Sequence, residues 1–570
     1  MFASLPETAI EFMDWSWAQI EPYYQDLQAR PINHDDVSKW LSDWSALKDL
    51  ITERYNRLNV AITQDTTNEL AEERYNDYLD SIHPASQAAD QSLKEKLLVS
   101  GLEPEGFGVP LRKMAAEASV YREENLPLIS QERKLSSRYN KIIGAQTVTW
   151  EGEELTLPQL RKVMETEDRA ARKRAWSLAA ERQLSDRESL NQLWKTFMQL
   201  RGQLAENAGQ PNYRAYRWKQ LARIDYTPED CAEFRAAIEE VAVPASTRVY
   251  EKYAARLGVE RLRPWDLDLD LFPLHLPPLP AYGSVDDLQT ISQRMFEKVH
   301  PILGTYFDTM RAEDLLDLQN RKGKAPGAYC ISFPAIKRPF IFMNAVGLAG
   351  DVRTMLHESG HAFHNFERLG LPYAQQRHPG WEFAEVASMG MELLASPYLQ
   401  ADQGGFYSRL DAARFQVQHL ERILNFWPYM AVVDAFQHWV YENHQSASDP
   451  KNCDAKWLQL WNRFMPGLDW SGLEDEAATG WHRKLHIYRY PFYYVEYGLA
   501  QLGAVQVWRN AQRDQGEAVA AYRRALAMGG TEPLPKLFAA AGAHLAFDAR
   551  TLQEAVDLIE GKIEELAVVK

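Results

Sequence analysis

The chain has 570 residues, with 63 Lys and Arg against 79 Asp and Glu, for a formal net charge of −16. Hydrophobic residues make up 45% and charged residues 25%, which excludes a disordered or fibrous chain. The acidic balance disfavours phosphate backbones, and no run approaches the roughly 18 apolar residues of a membrane span, so neither nucleic acid nor a membrane is an expected partner. The N-terminus lacks the basic start of a secretory signal. The chain has three widely spaced cysteines, Cys231, Cys330 and Cys453, so we expect a cytoplasmic protein without disulfides.

Helical periodicity dominates the chain. After Asp35 and Asp36, either of which is a suitable N-cap, apolar residues recur at steps of three and four. Ser284 begins another such pattern. Similar patterns cover residues 164–209, 228–257, 409–445 and 515–568. The sequence therefore predicts a mostly α protein.

Two segments predict β-structure instead. Residues 142–157 hold β-forming runs on both sides of a Glu-Gly pair, which predicts a hairpin. Residues 329–344 are also rich in β-forming residues, but Pro334 and Pro339 cannot donate to a ladder and predict edge strands. We expect a small mixed sheet in the second half of the chain, and an irregular connector in the proline-rich segment 262–284.

One short motif carries the chemistry. His357, Glu358 and His361 form an HExxH pattern inside a helical stretch. Residues four apart lie about 40° from each other on a helix, so both imidazoles can bind one metal ion. Glu358 lies beside them, within reach of a water in the open coordination position. Zn²⁺ suits neutral imidazole and lowers the pKa of bound water to about 7, so we predict one Zn²⁺ with Glu358 as general base. The alternative is a buried helix whose histidines are satisfied within the core.

A zinc site of this kind needs a third protein ligand. The pattern HExxHxxGxxH fails, because His364 stands at its glycine position. Segment 381–399 has helical periodicity and places Glu385 and Glu392 seven residues apart, on one face, among small residues. A carboxylate on such a face is costly unless it is paired or metal-bound. We predict Glu385 as the third metal ligand and Glu392 as a carboxylate that orients a ligand.

Two residues close to the predicted ligands, Glu382 and His364, are not themselves predicted to bind the metal. Glu382 stands at the start of the predicted helix, where a solvated position is expected. His364 lies two turns after His357, too far along the helix to close a tetrahedral site. It either contacts a ligand or packs in the core.

These residues resemble a known family. Residues 357–364, HESGHAFH, match HExGHxxH, and Phe383-Ala384-Glu385-Val386-Ala387-Ser388 follows downstream. Together they are similar to the thimet oligopeptidase and oligoendopeptidase F family of zinc peptidases. Gly327-Ala328-Tyr329, the segment ending Phe342-Met343-Asn344 and the tyrosine-rich 491–498 are similar too, so the resemblance covers roughly residues 200–570.

The resemblance implies a fold and an activity. The fold is a two-lobed helical protein with a deep central cleft and a small mixed β-sheet beside the HExxH helix. A catalytic region at 201–570 follows a mainly helical region with the hairpin at 1–200. The activity is cleavage inside short unstructured peptides by one zinc ion. The resemblance assigns the ligands His357, His361 and Glu385 and the base Glu358.

The tyrosine-rich block at 481–498 is the second candidate element. Pro491 predicts a helix start, and with a helix there Tyr490, Tyr494 and Tyr497 share a face. From the residues alone, this face either donates to the oxyanion of the reaction or forms an aromatic core stripe.

The resemblance implies substrate contacts for this block. It places a histidine and two tyrosines seven residues apart at the substrate, which Tyr490 and Tyr497 match. His486 lies four residues before Tyr490, where the family pattern has five, so His482 is the alternative histidine. Tyr493 and Tyr494 are the alternative tyrosines.

The predicted function is that of a zinc endopeptidase for oligopeptides, in an undetermined oligomeric state. One alternative is a zinc carboxypeptidase or dipeptidyl carboxypeptidase, with Arg483, Lys484 or Arg489 binding the C-terminal carboxylate. The second alternative is a non-catalytic helical peptide-binding protein. The presence of Glu358 argues against it, because a protein that only binds peptides needs no general base. Residues 339–344 are expected to bind peptide by strand addition, unless another segment covers that edge.

Overall fold

The structure is a computed structural model that describes residues 2–267, 278–280 and 282–569. Residues 268–277 and 281 of the proline-rich connector predicted at 262–284 lie outside the described residues. No helix in the described part of the chain is long and apolar enough to cross a membrane.

Helices make up most of the described chain, and the predicted mostly α fold class is confirmed. The helix predicted after Asp36 begins at Val37, as expected. The first thirteen α-helices are α1 (Ala9–Phe12), α2 (Trp17–Ala29), α3 (Val37–Gln64), α4 (Glu69–Asp77), α5 (His83–Ser100), α6 (Gly108–Val120), α7 (Asn125–Gly144), α8 (Leu157–Met164), α9 (Arg169–Ser185), α10 (Arg187–Asn207), α11 (Tyr213–Gln220), α12 (Pro228–Ala237) and α13 (Val243–Leu257).

The second half of the chain carries the longest helix, of 34 residues. Its first helix follows Ser284, whose hydroxyl accepts the Asp287 N–H at 3.1 Å, as expected for an N-cap. The helices are α14 (Val285–Val299), α15 (Pro301–Ala312), α16 (Ala349–Arg368), α17 (Trp381–Leu394), α18 (Arg409–Glu442), α19 (His444–Ala447), α20 (Pro450–Phe464), α21 (Glu474–Ala478), α22 (Leu485–Arg489), α23 (Tyr494–Ala511), α24 (Gln515–Ala527), α25 (Leu534–Ala540) and α26 (Ala549–Ala567).

The predicted hairpin is present. Strands β1 (Thr147–Trp150) and β2 (Glu153–Thr156) pair antiparallel. The connecting residues Glu151 and Gly152 both have positive φ, 52° and 91°. Positive φ at both central residues is the geometry that matches the twist of a two-residue hairpin, and glycine adopts it readily.

The second sheet is mixed, as predicted, but its strand order corrects one expectation. It consists of β3 (Leu316–Gln319), β4 (Tyr329–Phe333) and β5 (Arg338–Ala345), in the order β3-β5-β4. Strand β5 is therefore the central strand and not an edge, parallel to β3 and antiparallel to β4. Pro339 is tolerated because it is the second residue of β5, before the pairing with β3 begins at Ile341.

Helix α16 begins directly after β5, and Asp351 fixes its start. The Oδ2 atom of Asp351 accepts the backbone N–H groups of Val346, Gly347 and Leu348 at 2.9, 2.8 and 2.9 Å. A carboxylate at a helix N-terminus satisfies free N–H groups and interacts favourably with the helix dipole. The HExxH segment is thereby anchored to the end of the central strand.

Helix α17 packs against both α16 and α23. At the contact between α16 and α17, a Cβ atom added to Gly360 would lie 2.5 Å from the Ala387 carbonyl oxygen and 2.6 Å from Ser388 Cα. Both are backbone atoms that cannot move aside. Gly360 therefore permits an approach of the two helices that any side chain would prevent.

The buried apolar side chains of the described residues fall into three clusters. The largest holds the sheet, α16, α17 and most of the C-terminal helices. A second belongs to residues 9–114, and a small third surrounds the hairpin. Helix α10 runs across residue 200. The division there, the two lobes and the deep cleft stay predictions.

The glycine contact makes a testable prediction. We expect Gly360→Ala to lower the free energy of unfolding by about 1–3 kcal/mol, because the added methyl forces α16 and α17 apart. Gly561→Ala in α26 is the control, since a Cβ atom there meets no atom within 4 Å. It should be neutral or stabilising by up to about 1 kcal/mol. Urea denaturation measures both, and equal stabilities would contradict the close packing.

Candidate metal centre

Three side chains from α16 and α17 converge on one point. His357, His361 and Glu385 each offer a ligand atom, and these atoms all lie within 4.8 Å of one another. The Nε2 atoms of His357 and His361 lie 3.4 and 3.5 Å from the same atom, Oε2 of Glu385. The two imidazoles are partly exposed, whereas Glu385 is only 2% exposed.

The spacing of these atoms fits a tetrahedral metal ion. Ligand atoms at 2.0–2.2 Å from a zinc ion lie about 3.3–3.6 Å apart along a tetrahedral edge. The two Nε2–Oε2 distances, 3.4 and 3.5 Å, fall in this range and are long for hydrogen bonds. Two imidazoles and one carboxylate are also a donor set that binds zinc. The residues present therefore fit a metal ion.

The second nitrogen of His357 is bound by a further carboxylate. Its Nδ1 lies 2.7 Å from Oε1 of Glu392, and Oε2 of Glu392 lies 3.0 Å from Nε2 of His419 on α18. A carboxylate at Nδ1 fixes the tautomer and the ring orientation, leaving Nε2 free to bind a metal. The structure places Glu392 in the position expected from the sequence.

Glu385 is held by two hydroxyl groups as well as by the imidazoles. Tyr493 donates to Oε1 at 2.7 Å, and Ser388 donates to Oε2 at 3.0 Å. Burial alone would raise the pKa of Glu385, but His361 and His357 hold this pKa well below its usual range. Glu385 is therefore a carboxylate at neutral pH and carries the negative charge that a cation requires.

Glu358 follows His357 in α16 and is buried. Its Oε2 atom has no hydrogen-bond partner among the described residues. Burial raises the pKa of Glu358, although the nearby His357 and His361 partly offset the effect. A buried carboxylate oxygen without a partner is costly, so this atom is available for a ligand or water at the site.

His486 lies within an aromatic cluster beside Glu385. Its Nε2 lies 3.4 Å from the hydroxyl of Tyr497, and its ring contacts those of Tyr490, Tyr493 and Tyr494. Its Nδ1 is unpaired within the described part of the chain. Burial lowers the pKa of His486 to about 3, so the ring is neutral at physiological pH.

Tyr497 lies near the carboxylates of the site. Burial, followed by the charge of Glu385 and with a further contribution from Glu358, raises the pKa of its hydroxyl well above the usual range. The phenol therefore keeps its proton. The alternative histidine, His482, faces away from this cluster, with Nε2 3.0 Å from Oδ1 of Asn191.

The helix of the tyrosine-rich block begins later than predicted. Helix α23 starts at Tyr494 and not at Pro491, because Phe492 has a φ of 66°, which no α-helix accommodates. Tyr490 therefore does not share a helical face with Tyr497, and is 40% exposed in the preceding turn. The hydroxyl of Tyr494, which is buried, accepts from Lys484 at 3.2 Å.

Both peptide groups of the strained Phe492 are held. Its N–H donates to Oε1 of Gln437 at 2.9 Å, and its carbonyl accepts from the buried guanidinium of Arg223. Gln437 also donates to the His486 carbonyl at 3.3 Å. Residues held in the left-handed region persist when their surroundings over-determine them. The hydrogen bonds from Gln437 and Arg223 therefore fix the backbone at Phe492 and orient the next residue, Tyr493, toward Glu385.

The prediction that Glu382 is solvated is wrong, because this residue is buried next to Arg223. Glu382 is buried, and its Oε1 accepts from the Tyr226 hydroxyl at 2.6 Å and lies 3.7 Å from Nε of Arg223. The same guanidinium donates to Glu496 at 2.5 Å. The segment between α11 and α12 thus covers the start of α17.

His364 is buried against the ring of Phe383, with ring centroids 6.2 Å apart. Its Nε2 has no partner among the described residues. The metal-binding group does not include His364. Of the two positions predicted for this residue, the structure therefore shows packing in the core.

Sequence reasoning missed several residues around the site. His419, Arg223 and Gln437 come from α18 and from the segment after α11, far from the motifs in sequence. No local pattern distinguishes them from other polar residues on a helix or loop. Their roles depend on contacts that form only in the folded chain.

The fold and the site are those of a metallopeptidase family. Residues 162–557 match peptidase family M3, and the chain belongs to this family. The predicted resemblance is thereby confirmed.

Individual proteins are similar to this chain. The solved structure of PZ peptidase A with inhibitor 2 is 28% identical and matches with a TM-score of 0.90, covering 99% of each chain. Oligoendopeptidase F from Enterococcus faecium is 14% identical, with a TM-score of 0.63, covering 98% of this chain and 99% of that one, and shows the fold alone. An oligoendopeptidase F homolog of Mycoplasma genitalium is 24% identical over 412 residues. That match covers 66% of this chain but only 65% of the relative.

Proposed function

We propose that the protein is a zinc-dependent endopeptidase that hydrolyses internal bonds of short, unstructured peptides. The observation that carries this proposal is the convergence of His357, His361 and Glu385 at tetrahedral spacing, with the unpaired carboxylate oxygen of Glu358 beside them. Membership of peptidase family M3 supports it. A cytoplasmic location and the absence of nucleic-acid partners stay predictions.

His357, His361 and Glu385 would hold the ion. A bound zinc ion supplies a Lewis acid that polarises the peptide carbonyl and acidifies water. Glu392 orients His357 through Nδ1, and Tyr493 and Ser388 fix the Glu385 carboxylate. His357 and Glu385 are thereby held before the metal binds, which reduces the cost of ordering the site.

Glu358 acts as the general base. Its raised pKa makes it a better proton acceptor than an exposed glutamate, and its Oε2 has no competing partner in the described chain. It takes a proton from the attacking water and passes it to the leaving amine. Because the carboxylate is buried, bulk water does not compete for that proton.

Tyr497 and His486 stabilise the oxyanion or position the peptide. Tyr497 keeps its proton, is partly exposed and lies near the charges of Glu385 and Glu358. The neutral His486 has one free nitrogen and one near the Tyr497 hydroxyl. A fixed donor aimed at the developing negative charge lowers the barrier. Tyr490, which is exposed, contacts the peptide.

Peptide binding by strand addition involves a different strand from the one predicted. Residues 339–344 belong to β5, which has neighbours on both sides. Strands β3 and β4 each have a free side, and β4 is the one that packs against α16, so we assign the main-chain contacts to Tyr329–Phe333. Helix α3 covers part of this edge, because Asn56 donates to the Ser332 carbonyl at 2.7 Å. Binding through the main chain gives little sequence selectivity.

Carboxypeptidase activity is less well supported. Arg483 donates to Gln183, and Lys484 donates to Tyr494 and lies 4.7 Å from the Tyr429 ring centroid. Arg489 donates to Asn140 and lies over the ring of Tyr490. All three cations are thus engaged by the protein itself, which favours an enzyme that does not anchor a C-terminal carboxylate.

The base is tested by Glu358→Gln, which keeps the shape of the side chain and the three ligands. Zinc should remain bound at one ion per chain, while turnover of an internally quenched peptide falls by roughly 10²–10⁴-fold. Glu367→Gln on the same helix, which loses only an ion pair with Arg523, is the control and should keep its turnover. Near-normal turnover in the Glu358 variant would remove Glu358 from this role.

The metal ligands are tested by metal content after dialysis against a chelator series. Glu385→Ala deletes a charged ligand, so zinc binding should be lost. Glu392→Ala removes no ligand but the carboxylate that joins His357 Nδ1 to His419, so affinity should fall by about 10–100-fold. If Glu392→Ala strips the metal and Glu385→Ala retains it, the two roles are exchanged.

Tyr497→Phe tests the oxyanion contact. Removing one donor should lower kcat by about 10²–10³-fold with KM nearly unchanged, because the contact strengthens in the transition state. Among the described residues, the hydroxyl has a single long hydrogen-bond contact, to His486, so the melting temperature should barely move. Tyr490→Phe should lose less activity. Normal kcat in zinc-loaded Tyr497→Phe would exclude the assignment.

A further inference from the structure

Two aromatic side chains stand out as exposed among the described residues. Trp381 is 47% exposed and Tyr490 is 40% exposed. The other exposed large hydrophobic side chains in the described chain are aliphatic: Ile10, Leu70, Val99, Ile302, Leu410 and Val568. Scattered exposed aliphatic residues are ordinary on a protein surface, but a contiguous exposed apolar patch marks a binding site.

Both exposed aromatic residues contact the same third ring. The ring centroids of Trp381 and Tyr493 are 5.6 Å apart, and those of Tyr490 and Tyr493 are 6.2 Å apart. We call the surface of Trp381, Tyr490 and Tyr493 the aromatic patch. It is formed by residues from two separate parts of the chain, the start of α17 and the turn before α23.

The aromatic patch is continuous with the candidate metal centre. Trp381 precedes Glu385 by one helical turn on α17, so both side chains lie on the same face of that helix. Tyr493 donates its hydroxyl to Oε1 of Glu385 at 2.7 Å. A peptide bound with its scissile bond at Glu358 therefore passes next to these rings.

The charges around the aromatic patch disfavour a basic side chain. The Arg489 guanidinium lies 5.1 Å from the ring centroid of Tyr490. Lys113 donates to the carbonyls of His378 and Pro379, at 2.8 and 3.0 Å, just before Trp381. The neighbouring acid Glu382 is buried and bonded to Tyr226. A lysine or arginine of the substrate would therefore meet two cations, and the neighbouring acid Glu382 is already engaged by Tyr226.

We propose that the aromatic patch is a specificity subsite that binds one large apolar side chain of the peptide, preferably an aromatic one. The inference rests on the proposed peptidase function and adds a selectivity that main-chain binding along β4 does not supply. Covering the exposed indole and phenol removes apolar surface from water, and aromatic pairs add a stacking contribution.

The test uses internally quenched peptides of an alanine-rich host sequence. One position at a time, among three on each side of the cut bond, carries Phe, Leu, Ala or Lys. The zinc-loaded wild type should prefer Phe to Ala at one position and disfavour Lys there. In Trp381→Ala the Phe-to-Ala ratio of kcat/KM at that position should fall roughly 2–10-fold, as the loss of one aromatic pair predicts. Trp381→Phe should restore most of it.

Leu410→Ala is the matched control, because Leu410 is also 47% exposed but lies at the start of α18. It should keep the wild-type ratios. An unchanged Phe-to-Ala ratio in Trp381→Ala would overturn the subsite, and so would an equal loss on every peptide. Cleavage of the all-alanine host without any Phe preference would leave the peptidase function standing and reject the subsite.

A binding measurement separates the subsite from hydrolysis. Calorimetric titration of the Glu358→Gln variant, and of the double variant with Trp381→Ala, uses the Phe and Ala peptides. The single variant should bind the Phe peptide more tightly, and the double variant should bind both alike. Tighter binding without turnover in the wild type would reject the peptidase function alone, whereas equal binding in the single variant would reject the subsite.

Discussion

The close contact of α16 with α17 at Gly360 is the constraint on which the candidate site depends. A close approach of the two helices shortens the distance that the Glu385 side chain must span to reach the two imidazoles. Because the backbone of α17 occupies the space where a Cβ of residue 360 would stand, Glu385 reaches His357 and His361 from the next helix. Asp351 fixes the start of α16, so the position of the motif along this contact is also set.

Burial determines the electrostatics of the site. Three glutamates of α16 and α17 are buried around the site: Glu358, Glu385 and Glu392. Unpaired negative charges are unfavourable in a buried position. Glu392 is balanced by His357 and His419, and Glu385 by the two ligand imidazoles and the Tyr493 hydroxyl. Glu358 has one oxygen without a partner in the described chain. The folded chain thus leaves one carboxylate oxygen without a hydrogen bond beside the two imidazoles, as the proposed general base requires.

The tyrosine-rich segment shows why local rules failed in one region. Pro491 is a suitable first residue of a helix, and the prediction followed that preference. The structure instead holds Phe492 in the left-handed region, with Gln437 and Arg223 bound to its two peptide groups. Strain of this kind costs of order 1–3 kcal/mol and is accepted only when tertiary contacts offset it. The central position of β5 has a similar origin, since strand order depends on pairing with β3, which the proline pattern does not encode.

Features whose physics is local could be predicted from the sequence. Helical periodicity predicted the mostly α class, the Glu-Gly pair predicted the hairpin, and HExxH predicted that His357 and His361 share a helical face with Glu358 beside them, because each follows from hydrogen bonds between residues a few positions apart. Spacing within α17 brought Glu385 and Glu392 to one face as well. What lies opposite those faces depends on the tertiary structure. His419 contacts Glu392, Arg223 lies beside Glu382, and Tyr493 contacts both Glu385 and the exposed Trp381. These contacts join segments tens to hundreds of residues apart, and their energies come from packing and burial that no local pattern specifies.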